Sequence, residues 1–316
     1  MSKPQIFDFH AHFVPPALCR NAPASAIVSI DDPEGRPIFH WTAGPPTRPM
    51  HPGLADLEGF KRWTAKAGLD GAVTSVWPDL MGHNLSPKAS AEWTDKVNLD
   101  LSDFCGENPW LGVVALQDPK RAARQLEDVM EAGALGVQIP TSIADIDLAD
   151  KVLDPFWEAA SRVSAFIFPH PVRSDTALRL NDPMLINTLA RPVQTLTAGA
   201  LMALAGIPQR FPGARIMLAH GGGSLPYLAG RLRNHHRLHG GEFDPGESIN
   251  LFWYDTVVSD ARILRLLVEM VGTDRILPGS DYPYPLGDQD PVSSIRTALT
   301  PDQAEAIFNN SQRLIR

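Results

Sequence analysis

Near its start the chain reads Phe7-Asp8-Phe9-His10-Ala11-His12. The apolar run that leads into this stretch is typical of a strand buried in a parallel sheet. Residues two apart on a strand point to the same face, so His10 and His12 can bind one metal ion together. The position after this strand lacks the G-x-G-x-x-G fingerprint of an open nucleotide-binding sheet, which favours a different strand arrangement.

Short apolar runs and longer helical patterns alternate through nearly the whole chain of 316 residues. This alternation predicts parallel β-α-β units, and eight such units predict a closed (β/α)8 TIM barrel. An open doubly wound sheet is the alternative. The predicted strands are Gln5–Phe9, Gly71–Val76, Trp110–Ala115, Leu135–Ile139, Ala165–Pro169, Arg215–Ala219, Leu251–Tyr254 and Arg275–Pro278.

The segments between these strands carry apolar residues three to four positions apart, as amphipathic helices do. Asp118-Pro119 is a helix start signal, and Gly272 is placed to end another helix. The segment Asn181–Gly213 is predicted to form two helices. Single helices are predicted for Leu54–Ala67, Lys120–Ala132, Val152–Val163, Leu225–Leu238, Asp260–Val271 and Pro301–Leu314.

Residues 13–50 interrupt the alternation. Within them, Ala26–Ile30 and Arg36–Trp41 flank a turn-forming stretch that contains Pro33 and Gly35, a pattern that predicts a small hairpin. We interpret this segment as an insertion after the first strand that lies over the active-site end of the barrel. The chain has no internal repeat, so we expect residues 1–316 to form one domain.

The composition narrows the class of function. The chain has 28 Lys and Arg against 36 Asp and Glu, a formal net charge of −8 and no basic run, which argues against a nucleic-acid partner. Neither a signal peptide nor an apolar stretch of about 18 residues is found, so we expect no membrane span. Cys19 and Cys105 lie far apart in no metal-binding spacing, which is typical of free thiols in the cytoplasm.

Three further strand ends carry residues of the kind that bind metals. His170 and His220 follow the fifth and sixth predicted strands, and Asp281 follows the eighth. Taken singly, each has an ordinary explanation, such as a hydrogen-bonded core histidine or a helix-capping aspartate. In a barrel these ends meet at one axial pocket, where several imidazoles and a carboxylate suit a Zn²⁺-like ion with an open coordination position.

The chain resembles the amidohydrolase-related (amidohydrolase 2) family, and most closely its 2-amino-3-carboxymuconate-6-semialdehyde decarboxylase branch and the related aromatic-acid decarboxylases. The matching stretches run from residue 8 to residue 283 and therefore cover nearly the whole chain. They are Asp8-Phe9-His10-Ala11-His12, Gly136-Val137-Gln138-Ile139, Pro169-His170-Pro171, Arg210-Phe211-Pro212, Ala219-His220-Gly221-Gly222-Gly223 through Gly230-Arg231, and Gly279-Ser280-Asp281-Tyr282-Pro283.

The resemblance implies a metal site at the strand ends. The family's metal ligands correspond by position to four residues of this chain, which are His10, His12, His170 and Asp281. The fourth strand reads Gly136-Val137-Gln138-Ile139-Pro140 and has no lysine of the kind that bridges two ions in other members of the superfamily. We therefore expect a single divalent ion, Zn²⁺ with Mn²⁺ as the alternative.

The resemblance also implies catalytic and substrate-binding residues. His220 corresponds to the catalytic base, and Asp281 is expected to take part in proton transfer as well as in metal binding. Arg48 and Arg231 correspond to the residues that bind the substrate carboxylates. In the family the second of these arginines reaches in from the neighbouring subunit, which implies a homodimer.

The expected activity is that of a metal-dependent non-oxidative decarboxylase, a C–C lyase that acts on an aromatic or muconic-type carboxylic acid. Two alternatives would use the same ligands, namely a hydrolase of an amide or lactone and a hydratase of a conjugated diacid. A non-catalytic metal-binding barrel is a further alternative. His220, a strand-end histidine outside the expected ligand set, argues against it.

Overall fold

The computed structural model describes residues 5–20, 22–143, 146–172 and 183–315 of the chain. Its strands alternate with helices in the order that the sequence predicts. In chain order they are β1 (Phe7–Phe13), β2 (Ile27–Asp31), β3 (Ile38–Trp41), β4 (Gly71–Val76), β5 (Leu111–Val113), β6 (Gly136–Pro140), β7 (Ser142–Ile143), β8 (Ile146–Asp147), β9 (Phe166–His170), β10 (Arg215–Leu218), β11 (Trp253–Asp255) and β12 (Ile276–Leu277).

Eight of the described strands form a closed ring of parallel neighbours. Six of them pair in the order β12-β11-β10-β9-β6-β5, and β1 pairs with β4. A parallel bridge between Thr74 and Trp110 connects β4 to the start of β5. The ring closes where the Phe9 N–H donates to the Pro278 carbonyl at 2.8 Å, which joins β1 to the end of β12. The predicted (β/α)8 barrel is therefore confirmed.

The helices surround this ring, and their ends follow local capping rules. The Asp118 side chain accepts a hydrogen bond from the Arg121 N–H, and Gly272 ends a helix with a φ of 75°. The helices are α1 (Leu57–Ala67), α2 (Pro87–Cys105), α3 (Pro119–Glu131), α4 (Asp154–Arg162), α5 (Pro183–Leu185), α6 (Arg191–Leu204), α7 (Ile207–Arg210), α8 (Leu225–His239), α9 (Pro245–Leu251), α10 (Ala261–Val271), α11 (Pro291–Ala298) and α12 (Pro301–Ile315), with a π-helix at Ile186–Ala190 between α5 and α6.

Helix α2 is the longest described helix that the apolar periodicity does not predict. Its buried face includes polar residues such as Ser90, Thr94 and Asn98. The Asn98 side chain accepts a hydrogen bond from the Val113 N–H at 2.7 Å and donates to the Val113 carbonyl at 2.8 Å. Because these polar groups are satisfied against β5, the helix can bury them, and its apolar stripe is correspondingly weak.

The region between the first and second barrel strands forms the predicted hairpin. β2 and β3 pair antiparallel, and Trp41 packs edge-on against Trp93 of α2 with their ring centroids 5.2 Å apart. The chain then returns toward the barrel through Met50, which is buried. The hairpin is thus anchored to α2 by aromatic packing.

Large apolar side chains fill the interior of the ring. A cluster inside the strands is built from buried residues of β1, β5, β9 and β10, and a larger cluster lies between the strands and the helices. Among the described residues, no helix combines the length and the apolar character that crossing a membrane requires. The interior cluster contains Phe9, Val73, Leu111, Phe166, Phe168, Met217, Ala219, Trp253, Leu277 and Leu314.

We expect Leu111→Ala to lower the free energy of unfolding by about 2–5 kcal/mol, because it leaves a cavity inside the ring. Leu111 is fully buried, whereas Leu99 of α2 is 59% exposed and provides the matched control. Leu99→Ala should change the free energy of unfolding by less than about 1 kcal/mol. Urea unfolding followed by circular dichroism measures both. Equal effects of the two substitutions would contradict the assignment of Leu111 to the core.

Candidate metal centre and active site

The residues that the sequence predicts as metal ligands converge at the carboxyl ends of the barrel strands. His10 and His12 lie in β1, His170 is the last residue of β9, and Asp281 follows β12. The Nε2 atoms of His10 and His170 are 3.2 Å apart. The Asp281 Oδ1 atom lies 3.4 Å from the Nε2 atoms of both His10 and His12.

Hydrogen bonds hold the rings of His10 and His170 in one orientation. His10 Nδ1 lies 2.6 Å from Asp255 Oδ2, and His170 Nδ1 lies 2.8 Å from the Pro171 carbonyl oxygen. Both partners accept hydrogen bonds, so each Nδ1 carries a hydrogen and donates it. The Nε2 atoms that face each other can therefore both offer lone pairs to an ion.

His12 is held in the same way by Ser75. The Ser75 hydroxyl donates its hydrogen to the Ala11 carbonyl at 2.9 Å, so it can only accept from His12 Nδ1, which lies 3.0 Å away. The His12 Nε2 atom is buried and forms no hydrogen bond with the described residues. A third imidazole lone pair thus points toward the Asp281 carboxylate.

This donor set fits a divalent metal ion. Lone pairs of two imidazole nitrogens repel each other at 3.2 Å unless a cation lies near both. Burial lowers the pKa of His10, but the hydrogen bond to Asp255 and the nearby Asp281 carboxylate outweigh it and raise that pKa to about 10. Burial raises the pKa of Asp281, but the neighbouring His10 and His12 imidazoles outweigh it and hold that pKa well below its usual range. The pocket therefore favours a positive charge between these residues.

Asp255 is a site residue that the sequence reasoning did not predict. It ends β11, one residue beyond the predicted strand Leu251–Tyr254, and it is fully buried. Besides His10, its carboxylate accepts hydrogen bonds from the backbone N–H groups of His220 and Gly221 at 2.9 and 2.8 Å. Its position at a strand end was the available signal, since the other predicted site residues share that position.

Gly279 allows the end of β12 to approach this pair closely. A Cβ atom at Gly279 would lie 3.0 Å from the Asp255 Cβ and 3.1 Å from the His10 Cβ. Both contacts are tighter than ordinary packing allows, and both neighbours are held by their mutual hydrogen bond. A larger residue at 279 would therefore require Asp255 or His10 to shift.

His220 lies at the same centre but is held differently. Its Nε2 atom is 4.0 Å from Asp281 Oδ2. One of its ring nitrogens and donor atoms of His10, His170 and Asp281 lie within 4.8 Å of one another, a group that does not include the predicted ligand His12. Its Nδ1 atom is buried and has no hydrogen-bonding partner among the described residues. Burial, and then the charge of His10, lower the pKa of His220 to about 4.

The tautomer of His220 is therefore not fixed by an acceptor, unlike those of the other three histidines. Such a ring can take up a proton on one nitrogen and release it from the same or the other nitrogen. Its backbone is in the left-handed region with a φ of 55°, as is that of Asp281 with a φ of 62°. Unfavourable backbone of this kind is concentrated at functional sites.

A cavity of about 450 Å³ opens onto the centre. His170, His220 and Asp281 line it together with Arg48, which the sequence analysis predicts to bind substrate. Arg48 makes a two-pronged ion pair with Asp79, with N···O distances of 3.0 and 3.1 Å. Arg231 lies elsewhere, exposed on α8 and outside the residues described as lining this cavity.

Arg191 and Tyr284 also line the cavity, and the sequence reasoning missed both. Arg191 is the first residue of α6, within a segment whose pattern predicts only two helices. Tyr284 lies three residues beyond Asp281 in a loop. No local pattern distinguishes these residues, because the folded chain alone brings them to the cavity.

The chain belongs to the amidohydrolase family, whose sequence model matches residues 7–316. It is 29% identical over 240 residues to 2-amino-3-carboxymuconate-6-semialdehyde decarboxylase of Dictyostelium discoideum, which covers 72% of this chain and 67% of that protein. It is 33% identical over 296 residues to 6-methylsalicylic acid decarboxylase of Penicillium expansum, which covers 87% of this chain and 84% of that protein. These relatives are carboxy-lyases.

The fold is shared with solved structures of the same group. The crystal structure of 5-carboxyvanillate decarboxylase from Novosphingobium aromaticivorans superposes with a TM-score of 0.73 at 23% identity, and covers 83% of this chain and 81% of that one. That structure is a complex with manganese and 4-hydroxy-3-methoxy-5-nitrobenzoic acid. The two chains therefore share the barrel fold.

We expect purified protein to contain about one divalent ion per chain, and His10→Ala to lose it, because the imidazole is a ligand candidate held by Asp255. Inductively coupled plasma mass spectrometry measures the stoichiometry. His40→Ala is the control, since His40 is a partly exposed histidine of the hairpin that pairs with Asp31.

Asp255→Asn should retain the metal site but weaken its affinity by about 10- to 100-fold, as loss of a residue that orients a ligand does. Competition with a chelator measures that change.

Two ions per chain, or full metal content in His10→Ala, would contradict the predicted centre.

Proposed function

We propose that the protein is a metal-dependent non-oxidative decarboxylase, a C–C lyase, that acts on an aromatic or muconic-type carboxylic acid. The observation that carries the proposal is one cavity that combines arginine side chains with a His/Asp cluster. This cluster consists of His10, His170, His220 and Asp281, and all of these except His10 line the cavity. Relatives that match most of the chain are decarboxylases of such acids, which supports the same reaction here.

We further propose a single divalent ion bound by His10, His12, His170 and Asp281. The three imidazoles with fixed Nδ1 hydrogens and the carboxylate support this ligand set. Such an ion acts as a Lewis acid that stabilises negative charge on a substrate oxygen. Histidine and aspartate ligands suit Zn²⁺, and the manganese in the Novosphingobium enzyme supports Mn²⁺ as the alternative.

In the proposed reaction the bond between a substrate carbon and its carboxylate breaks and CO2 leaves. The carbon that carried the carboxylate receives one proton, so a carboxylate and a proton give the decarboxylated product and CO2. His220 and Asp281 are the proposed proton carriers, because they line the cavity 4.0 Å from each other. Arg48 is proposed to hold a carboxylate of the substrate at the same cavity.

A hydrolase of an amide or lactone, or a hydratase of a conjugated diacid, would use the same metal ligands. Neither would release CO2. The decarboxylase relatives favour the decarboxylase hypothesis over these alternatives.

We also propose a homodimer in which Arg231 of the partner subunit completes the cavity. Arg231 and Tyr227 lie one turn apart on α8, and both are exposed, Tyr227 by 74%. An exposed aromatic residue beside an arginine is typical of a binding surface.

We further propose that residues 1–316 act as one domain in the cytoplasm, where the two unpaired cysteines would remain reduced.

CO2 release tests the proposed reaction. Metal-loaded protein is incubated with a panel of hydroxybenzoic, methylsalicylic and muconic acids, and CO2 and ultraviolet absorbance are followed. We expect one or more acids to lose CO2, and His220→Ala to lower kcat by about 10²–10⁴-fold while the metal remains bound, because a proton carrier is lost.

His40→Ala serves as the control for this experiment and should keep full kcat. A hydrolysis or hydration product without CO2 would refute the decarboxylase proposal. Loss of metal from His220→Ala would make His220 a ligand and would refute its proposed role.

Hybrid dimers test the role of Arg231. We expect Arg231→Ala and His220→Ala each to be inactive, and mixed dimers of the two to recover activity, because one of the two sites then has both residues intact. Size-exclusion chromatography and differently tagged chains verify that hybrids form. A fully active monomer, or no recovery in verified hybrids, would contradict the proposal.

A further inference from the structure

The cavity has a second set of polar side chains besides the metal-ligand candidates. Arg48, Arg191 and the Tyr284 side chain line it together. Asp281 also lines it, but its carboxylate faces the Nε2 atoms of His10 and His12 at 3.4 Å. The Asp281 carboxylate therefore faces the histidines, and another group must balance the positive charges of the two arginines.

Asp79 is the carboxylate that both arginines share. Arg48 holds it through two hydrogen bonds, whereas the Arg191 Nη2 atom is 3.7 Å from Asp79 Oδ1. Burial raises the pKa of Asp79, but the charge of Arg48 outweighs it and lowers that pKa, so the carboxylate is ionised. One negative charge thus faces two positive charges, and Arg48 lies closer to that charge than Arg191 does.

Arg191 has hydrogen-bond donors that no described residue accepts. Its Nε donates to Asn187 Oδ1 at 3.0 Å, and its Nη1 donates to the Pro171 carbonyl at 2.9 Å. A guanidinium has five N–H donors, so three of them, on Nη1 and Nη2, form no hydrogen bond with the part of the chain that the structure describes. Burial and then the charge of Arg48 lower the pKa of Arg191, and a further anion beside the guanidinium would counter both effects.

The Tyr284 hydroxyl is a second group that lacks a partner. Its oxygen is shielded from solvent and forms no hydrogen bond with the described residues. A phenolic hydroxyl carries its hydrogen at neutral pH and can donate it. A buried hydroxyl without a partner is costly, and a ligand oxygen in the cavity would satisfy it.

We propose that Arg191 is a substrate-binding residue and that, with the Tyr284 hydroxyl, it holds a second carboxylate of the substrate. This position is separate from the group bound at the His/Asp cluster. The inference rests on the proposed function, because it takes a carboxylic acid as the substrate of this cavity. It makes Arg191 the residue that selects dicarboxylic over monocarboxylic acids.

Binding of matched acids tests this role. Isothermal titration calorimetry on the metal-loaded protein compares benzoate with phthalate, isophthalate and terephthalate, which carry a second carboxylate at three different spacings. We expect at least one dicarboxylate to bind about 10- to 100-fold more tightly than benzoate, as hydrogen bonds to a charged group do. Arg191→Met should remove most of this preference and leave the benzoate affinity nearly unchanged.

Three further variants separate charge, geometry and general damage. Arg191→Lys keeps the charge but loses the planar fork, so it should retain part of the preference. Tyr284→Phe should reduce the preference by about 2- to 10-fold, as loss of one neutral hydrogen bond does. Arg162→Met, which removes an exposed arginine paired with Glu127 on the helix side, should change nothing.

Equal affinity of the wild-type protein for all four acids, including no binding of any of them, would overturn the proposal. Equal losses of benzoate and dicarboxylate affinity in Arg191→Met would also overturn it, because they would assign Arg191 a structural role. A dicarboxylate preference that depends on Arg191, found in a protein that releases no CO2 from any acid, would support this inference and contradict the decarboxylase proposal.

Discussion

The hydrogen bond between Asp255 and His10 is the interaction on which the candidate site depends. It joins β1 to the end of β11, and the same carboxylate accepts backbone hydrogen bonds from His220, Gly221 and Val257. Burial of a carboxylate is unfavourable, but these four donors satisfy it, and the hydrogen bond from His10 keeps its pKa below the usual range despite burial. One ionised side chain thereby fixes a ligand candidate and the proposed base.

The strained backbone of the site follows from this arrangement. His220 and Asp281 both have positive φ values, which side chains other than glycine adopt at a cost. The Asp255 carboxylate holds the His220 N–H, and the Asp281 N–H donates to the His10 carbonyl at 2.7 Å. Hydrogen bonds from neighbouring strands thus hold both proposed proton carriers against local preference, so their positions depend on closure of the barrel.

Sequence patterns could predict the residues whose signal is local. His10 and His12 lie two residues apart in β1, His170 ends β9, and His220 and Asp281 follow β10 and β12. The eight strands are apolar runs that any buried parallel sheet requires. Asp255 also ends a strand, but no local pattern shows its pairing with His10, and Arg191 has no local signal. Asp255 meets His10 across 245 positions of sequence, and Arg191 enters the cavity only because α6 begins there. Their roles are properties of the tertiary structure.

The separation of two positively charged regions in the cavity has a chemical reason. During decarboxylation, negative charge leaves the departing carboxylate and moves onto the carbon that held it and the groups conjugated with that carbon. A cation held tightly against the departing carboxylate would stabilise the substrate more than the transition state and would slow the reaction. Cations are useful where charge accumulates and where a second, unreactive group is anchored. In the proposed reaction, a metal ion at the strand ends and the arginine pair beside Asp79 would provide these two positions.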